Sequence, residues 1–203
     1  MEIESRESKR WVTLAPGEIY ATNKELIITT LLGSCVSVCL YDPIHKIFGM
    51  NHFLLADQYY PQSLPFYLRD GGRYGVHAME LLINKMLQLG ADKKHIKAKA
   101  FGGGNVLNSD NKISSLSKVG DINVQFILVF LDKESIPLVS SDLGGDSGRI
   151  IRFDTKNQAV FVRKIPKIRL LNIETKERKY WENTILDQKL VKSYDVWLEK
   201  KYK

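Results

Sequence analysis

The sequence predicts an α+β fold, a single domain of mixed, mostly antiparallel β-sheets with helices packed on the outside. Short runs rich in β-branched and aromatic residues recur between turn signals, as in a chain of paired strands. Segment 74–89 differs, because its apolar residues recur three and four positions apart, the period of an amphipathic helix. Gly90 follows it as a suitable C-terminal stop.

The predicted strands are bounded by glycine, proline, aspartate or asparagine. In chain order they span 18–32, 36–41, 46–55, 96–101, 122–131, 136–140, 149–154 and 158–163. The last two pair as a hairpin across residues 155–157. Residues 57–72 contain two prolines and four tyrosine or phenylalanine rings without a periodic pattern. They are predicted to form a long loop, and long loops inside compact domains are often functional.

The net charge of +7 lies mainly in the last fifth of the chain. Residues 163–203 hold twelve basic and six acidic residues, whereas residues 1–162 hold eighteen and seventeen. Without a zinc-finger, basic-zipper or strand-binding motif, this favours a solvated basic tail over nucleic-acid binding. We therefore divide the chain into a domain at 1–165 and an extension at 166–203. Apolar residues on one helical face predict an amphipathic helix there: Leu186, Leu190, Tyr194, Trp197 and Leu198.

The composition is that of an ordinary globular protein, with 203 residues, 44% hydrophobic and 26% charged. It excludes a disordered chain, a collagen-like repeat and a disulfide-dense scaffold. The most apolar stretch, 26–41, is interrupted by threonine, serine and glycine, so no transmembrane segment is expected. Residues 1–11 are charged from the second position and lack the apolar core of a secretory signal, which predicts a cytoplasmic location.

The two cysteines, Cys35 and Cys39, are four positions apart. On a strand they would lie on one face about 13 Å apart, too far for a disulfide, which needs α-carbons within about 7 Å. The same separation argues against a zinc site that combines both thiols with His52. Cys39 is interpreted as a small buried apolar residue, and Cys35 as the candidate reagent.

Cys35 follows a Gly-Ser break between two apolar runs, and His52 comes seventeen residues later on the next strand. If residues 42–45 form the loop of an antiparallel hairpin, paired residue numbers sum to 87 and Cys35 faces His52 directly. Their β-carbons would then be about 4.5–5.5 Å apart. A shift of one residue would send the two side chains to opposite faces.

Such a pair would carry chemistry, because a free cysteine, with a pKa near 8.5, is mostly protonated at neutral pH. A neighbouring imidazolium stabilises the attacking thiolate and can protonate a leaving group. Backbone amides near Gly33-Ser34 could stabilise an oxyanion. On spacing alone, a buried thiol beside an unrelated strand histidine is the favoured alternative.

The remaining histidines give weaker signals. His45 is expected to be solvated in a turn, His77 opens a helix, and His95 lies in a lysine-rich loop. Gly102-Gly103-Gly104 lacks the Lys-Ser/Thr of a phosphate loop, so it predicts a turn or a close backbone contact rather than nucleotide binding. The sequence predicts no cofactor and no metal site.

Four segments together resemble the CheD family of bacterial and archaeal chemotaxis. They are 29–57 (TTLLGSCVSVCLYDPIHKIFGMNHFLLAD), 74–90 (YGVHAMELLINKMLQLG), 98–107 (AKAFGGGNVL) and 142–149 (DLGGDSGR). The likeness runs in one order over roughly residues 15–165. Each motif alone is a weak signal, and together they are specific.

The resemblance implies a cysteine hydrolase that deamidates chemoreceptor glutamines to glutamate, in some members with methylesterase activity. The family's nucleophile matches Cys35 in Gly-Ser-Cys, and its histidine matches His52 in Met-Asn-His. Its threonine, six residues before the nucleophile, matches Thr29. The deamidase activity implies chemoreceptor cytoplasmic domains as substrates. Family members also bind the phosphatase CheC, which implies CheC as a second partner.

The chain departs from the family at Gly120-Asp121-Ile122-Asn123, where members commonly carry Gly-x-Arg-Asn. No substrate or partner contact from an arginine is therefore expected at this position. Two other functions stay open at this stage. One is an interaction module that mainly binds CheC and receptors with little catalysis. The other is a general cysteine hydrolase or transglutaminase acting on other amides.

Overall fold

In the computed structural model, the described residues are 1–6, 9–55, 70–106 and 119–166. Their elements, in chain order, are β1 (Glu2–Arg6), β2 (Lys9–Thr13), β3 (Ile19–Thr22), β4 (Ile27–Leu32), β5 (Val36–Asp42), β6 (Ile47–Asn51), α1 (Asp70–Gln88), a 3₁₀ helix (Lys93–His95), β7 (Lys97–Gly102), α2 (Val119–Lys133), β8 (Leu138–Leu143), β9 (Gly148–Asp154) and β10 (Ala159–Ile165).

The strands form two five-stranded sheets. The first, called sheet I, has the order β1-β2-β4-β9-β10, and the second, sheet II, has the order β3-β6-β5-β7-β8. In each sheet one pair of neighbours is parallel, β2 with β4 and β7 with β8, and the other three pairs are antiparallel. The predicted α+β class with mixed, mostly antiparallel sheets is confirmed.

Strand β5 separates two cores, because alternate side chains of a strand point to opposite faces. Val36, Val38 and Leu40 belong to a core with the helices, whereas Cys35 and Cys39 belong to a core shared with sheet I. The molecule therefore has three layers: sheet I, sheet II and the helices. The helices pack on the outer face of sheet II, as the sequence predicts.

Helix α1 packs closely on the middle of β6. A β-carbon on Gly49 would lie 2.8 Å from both Leu82 Cδ1 and Met86 Sδ, so a larger residue there would require these side chains to shift. The predicted helix is confirmed, and it begins at Asp70, four residues before the expected start. Residues 70–72 of the predicted loop are therefore helical, and the rest of that loop up to residue 69 lies outside the described residues.

The predicted strand 122–131 is wrong, since these residues belong to α2. Its buried positions follow a helical period: Val119, Gly120, Asn123, Phe126, Ile127, Phe130 and Leu131. A continuous apolar run rich in β-branched and aromatic residues does not distinguish a buried helix from a buried strand. Here the packing of one helical face against sheet II decides the outcome.

The predicted strand 18–32 is divided between the two sheets, with β3 in sheet II and β4 in sheet I. The chain crosses between the layers at residues 23–26. Strands β1 and β2 were not predicted, because their segment is polar. The hairpin near the end of the domain is confirmed, with β9 and β10 joined by residues 155–158.

The predicted amphipathic helix of the extension lies outside the described residues, as does nearly all of 166–203. The division of the chain at residue 165 therefore remains a prediction. Within the described ranges, no helix is long and apolar enough to cross a membrane.

Candidate active site

Cys35 lies in a tight bend between β4 and β5, and the bend is held through three successive carbonyls. Gly104 N–H donates to Gly33 O at 2.9 Å, and Gly103 N–H donates to Cys35 O at 2.7 Å. Between them, the side-chain amide of Asn123 donates to Ser34 O at 2.8 Å. With all three carbonyls bound, the backbone that carries the Cys35 side chain is fixed in one conformation.

The run Gly102–Gly104 makes the close backbone contact predicted for it. Gly102 has φ of 111°, and a β-carbon there would lie 2.2 Å from Cys35 O. Any larger residue would displace the cysteine backbone. The glycine run is therefore a support for the Gly-Ser-Cys bend.

A second glycine-containing segment, residues 142–148, contains the end of β8, the loop after it and the start of β9, and it contacts this run. Gly144 N–H donates to Gly102 O at 2.9 Å, and Asn105 N–H donates to Gly145 O at 2.7 Å. Buried Arg149 closes the loop with hydrogen bonds to Asp142 Oδ1 and Gly144 O. Three segments that are distant in sequence are thus joined in order by hydrogen bonds: 142–148, Gly102–Gly104 and the Gly-Ser-Cys bend that contains Cys35.

The hairpin that joins Cys35 and His52 has a different register from the expected one. Asp42 pairs with Ile47 and Val36 with Phe53, so paired numbers sum to 89 rather than 87. The loop is residues 43–46, one position later than predicted. Cys35 is therefore diagonal to His52 rather than directly opposite. In a regular antiparallel pair, diagonal neighbours are about 7–8 Å apart. Because side chains alternate with a period of two, a change of two in this sum leaves the Cys35 and His52 side chains on the same face.

That face is the layer between the two sheets, and both side chains are buried there. Cys35 is 0% exposed and His52 is 2% exposed. Ser37 Oγ donates to Asn51 O at 2.5 Å, and Asn51 Oδ1 accepts from Val38 N–H at 2.8 Å. These side-chain bonds tie β5 to the end of β6, directly beside His52.

The orientation of the His52 ring is set from sheet I. Thr30 Oγ1 donates its proton to Leu14 O at 2.7 Å. The same oxygen lies 2.7 Å from His52 Nδ1, and since a hydroxyl has one proton, it accepts this second bond from Nδ1–H. The neutral ring therefore carries its proton on Nδ1 and presents the lone pair of Nε2.

Nε2 of His52 is buried and has no hydrogen-bond partner among the described residues. Burial lowers the pKa of His52 to about 4, although the Leu14 carbonyl and the Glu18 carboxylate act in the opposite direction. The ring is thus neutral at pH 7, with an unpaired basic nitrogen in the layer that also contains Cys35. A buried acceptor without a partner is costly, and such groups are often found where function requires them.

Thr29 lies on the opposite face of β4 from Thr30. Its hydroxyl donates to Ile151 O at 2.8 Å on the neighbouring strand β9. Ile28 and Leu32 belong to the core between the sheets, so the two-residue alternation of a strand puts Thr30 on that inner face and Thr29 on the outer one. Among the described contacts, the hydroxyl at the histidine is that of Thr30.

Asn123 is a buried residue of the site for which the sequence indicated no functional role. Its Nδ2 holds Ser34 O, while its Oδ1 accepts from Leu55 N–H at 2.9 Å. One side chain from α2 therefore links the loop before β5 to the chain just after His52. An asparagine on the otherwise apolar buried face of a helix is the signal that could have identified it.

Cys39 has the environment of an inert thiol. It is 0% exposed, and burial raises the pKa of its thiol far above the usual range, with Lys99 offsetting the effect only in part. Neither cysteine forms a disulfide. The potential metal-ligand group among the described residues lies at the far end of the β5–β6 hairpin and consists of Asp42, His45 and His95.

Cys35 and His52 are thus buried on one face of the hairpin, and a cysteine nucleophile and its histidine base react only when the two side chains come within hydrogen-bond reach. The family model described as "CheD chemotactic sensory transduction" matches residues 62–164, which follow both of these side chains. The chain belongs to the CheD family.

Curated relatives extend the similarity across the sequence. The protein named "Probable chemoreceptor glutamine deamidase CheD 1" of Geobacter sulfurreducens is 42% identical over 199 residues, 98% of this chain and 99% of the relative. "Probable chemoreceptor glutamine deamidase CheD 2" of Shewanella oneidensis is 48% identical over 153 residues, 74% of each chain. Among solved structures, the hypothetical protein YfiH of Bacillus licheniformis is 14% identical, with a TM-score of 0.36 over 61% of this chain and 49% of that one.

Proposed function

We propose that this protein is a protein-glutamine deamidase of chemoreceptors, in which Cys35 is the nucleophile and His52 the general base and acid. The observation that supports it best is the unpaired, buried Nε2 of His52 on the same face as Cys35. The names of the relatives supply the substrate class, glutamine side chains of methyl-accepting chemoreceptors.

In the first half-reaction, Sγ of Cys35 attacks the side-chain carbonyl carbon of a glutamine. The thiol proton moves to Nε2 of neutral His52, since Nδ1 already carries a proton held by Thr30. The tetrahedral intermediate then collapses, and the imidazolium donates this proton to the departing nitrogen. The C–N bond breaks, ammonia leaves, and a thioester to Cys35 remains.

In the second half-reaction, water hydrolyses the thioester. Nε2 of His52 takes a proton from the water as its oxygen attacks the acyl carbon, and then returns a proton to the departing sulfur. The C–S bond breaks and glutamate is released. The sum is glutamine and water converted to glutamate and ammonia, with both protein groups restored.

Two candidates exist for the residue that orients the imidazole. The contact of Thr30 with Nδ1 favours Thr30, whereas the family resemblance implies Thr29, whose hydroxyl bonds to Ile151 O instead. Orientation is a supporting role, and its loss costs less than loss of the nucleophile or the base. Paired variants of the two threonines separate these assignments.

The experiment that tests this function is mass analysis of a receptor cytoplasmic fragment incubated with the full chain, with peptide mapping of each converted glutamine. The wild-type protein should convert specific glutamines and release ammonia. Cys35→Ala should abolish both. Cys39→Ala is the matched control, because it removes a thiol of equal size and burial from the same strand face and should keep most activity.

Conversion that persists in Cys35→Ala would remove Cys35 from the nucleophile role, and complete loss in Cys39→Ala would mean that the other thiol reacts. An absence of conversion with a matched receptor would favour the interaction-module alternative. The affinity for CheC would then be the quantity to measure. Transfer to an added amine rather than to water would instead indicate a transglutaminase.

A further inference from the structure

The far end of the β5–β6 hairpin brings together two histidines that are distant in sequence. His45 lies in the turn after β5, and His95 ends the 3₁₀ helix that follows α1. Their ring centroids are 5.7 Å apart, with 35° between the planes. Both side chains are exposed, by 42% and 43%, so an ion from solvent can reach either ring.

A carboxylate lies beside this pair. Asp42 Oδ2 is 2.7 Å from His45 Nδ1, and the same oxygen accepts the backbone N–H of Asp92 at 2.8 Å. Asp42 Oδ1 accepts the backbone N–H groups of Ile44 and His45 at 2.9 and 3.1 Å. The carboxylate is therefore held in place by both loops that carry the histidines.

The carboxylate of Asp42 supplies the anionic ligand of the cluster, and hydrogen bonds from both loops hold it in place. Lys93 of the 3₁₀ helix is in an ion pair with Glu134 at 2.7 Å. A cation at the histidines would thus lie beside a carboxylate, with the Lys93 charge already paired.

We propose that Asp42, His45 and His95 form a binding site for a zinc-class divalent cation, with water completing the coordination. One ligand atom from each residue lies within 4.8 Å of the others. In a tetrahedral zinc site, bonds to nitrogen and oxygen of about 2.0–2.2 Å place ligand atoms about 3.4 Å apart. Zinc binding would therefore require the two exposed imidazoles to rotate until the ligand atoms reach that separation.

The donor set and its support are those of zinc sites. Imidazole nitrogen and carboxylate oxygen are both zinc ligands, and three protein ligands with one open position is a known arrangement. The backbone N–H groups on Asp42 supply the outer hydrogen bonds that orient a ligating carboxylate. The bound ion would join the β5–β6 turn to the segment between α1 and β7, roughly 20 Å along β5 from Cys35.

The histidine content makes this site simple to test. The chain has four histidines, of which His52 is buried in the active site and His77 is exposed on α1. Both cysteines are buried. His77→Gln is therefore the matched control, an exposed histidine outside the cluster.

The full chain, stripped with a chelator, would be titrated with zinc chloride by calorimetry, and with cobalt to record its visible d–d bands. We expect one ion per chain, cobalt bands of tetrahedral intensity, and a higher Tm with zinc. His45→Gln and His95→Gln should each weaken zinc binding by at least about tenfold, while His77→Gln leaves it unchanged. The proposal would be overturned if zinc did not bind saturably to the wild-type chain. It would also be overturned if His45→Gln and His95→Gln both bound zinc with the affinity of the wild type.

Discussion

The hydroxyl oxygen of Thr30 lies 2.7 Å from Nδ1 of His52, and it reaches across the layer between the two sheets to do so. Because its own proton is donated to Leu14 O, the hydroxyl accepts from the ring. A single contact from sheet I therefore decides which nitrogen of a histidine on sheet II is basic. The catalytic proposal depends on this contact, since only Nε2 is unpaired.

Replacement of Thr30 by valine should lower kcat/KM for deamidation by about tenfold, because the valine keeps the shape but leaves Nδ1–H without its acceptor. Thr30→Ser should restore most of the rate, since serine supplies the same oxygen. Rescue by serine distinguishes hydrogen bonding from packing. The measurement is the initial rate of ammonia release from a receptor fragment.

Thr29→Val is the comparison for the same experiment. The Thr29 hydroxyl bonds to Ile151 O on the outer side of β4, so this variant should change kcat/KM much less than Thr30→Val. A larger loss in Thr29→Val, with Thr30→Val near the wild-type rate, would instead support the assignment that the family resemblance implies.

The stability of the fold should decrease between about pH 6.5 and about pH 4 through the titration of His52. Burial lowers the pKa of His52 to about 4, so below pH 6.5 the unfolded chain binds a proton that the folded chain does not. Above pH 6.5 neither state binds it, and the effect vanishes. The difference corresponds to about 3 kcal/mol across the window, measured by urea unfolding at a series of pH values.

His52→Gln removes this titration and is the control. Its free energy of unfolding should depend less steeply on pH in the same window. The titration of Asp42 acts at lower pH: burial raises the pKa of Asp42, but hydrogen bonds lower it to about 2, so its contribution is lost only below about pH 4. Parallel pH curves for the wild type and His52→Gln would show that His52 is not the group responsible.

The spacing of apolar residues predicted those elements that have one buried side and one exposed side. Helix α1 shows a clear 3.6-residue pattern because one side packs on sheet II and the other faces solvent. Helix α2 has apolar residues on its exposed side as well, including Leu128 and Val129, so its segment resembles a buried strand. The side of α2 that packs is decided by contacts with residues far away in the sequence, such as that of Phe126 with Phe53. Such contacts cannot be read from the segment itself.

Residue type and hairpin spacing singled out Cys35 and His52, but on spacing alone an unrelated histidine was favoured, and the family resemblance supported the pair. The register of the hairpin depends on where the turn begins. Asp42 decides this, because its side chain caps the turn and leaves residues 43–46 as the loop. The approach of His45 to His95 depends on the packing of two loops fifty residues apart, which no spacing rule gives.

Gly102→Ala should unfold at lower denaturant concentration and lose activity. Its β-carbon would lie 2.2 Å from Cys35 O, in addition to the strain of φ at 111°. We expect a loss of about 2–4 kcal/mol in the free energy of unfolding. Gly90→Ala is the matched control, with φ of 103° and no atom within 4 Å of the added carbon, and it should cost about 1 kcal/mol. Equal losses of unfolding free energy in Gly102→Ala and Gly90→Ala would mean that the contact with Cys35 O adds nothing to the cost of the positive φ.

Asn123→Leu should lower both stability and kcat/KM, because it leaves Ser34 O and Leu55 N–H buried without their partner. Two unsatisfied backbone groups cost about 2–4 kcal/mol in the free energy of unfolding. The bend at Cys35 and the chain after His52 would also lose their common link, so the rate should fall even where the variant is fully folded. Gln125→Leu, an exposed change on the same helix, should alter neither quantity. A folded Asn123→Leu protein with wild-type kcat/KM would show that the link from α2 does not position the catalytic pair.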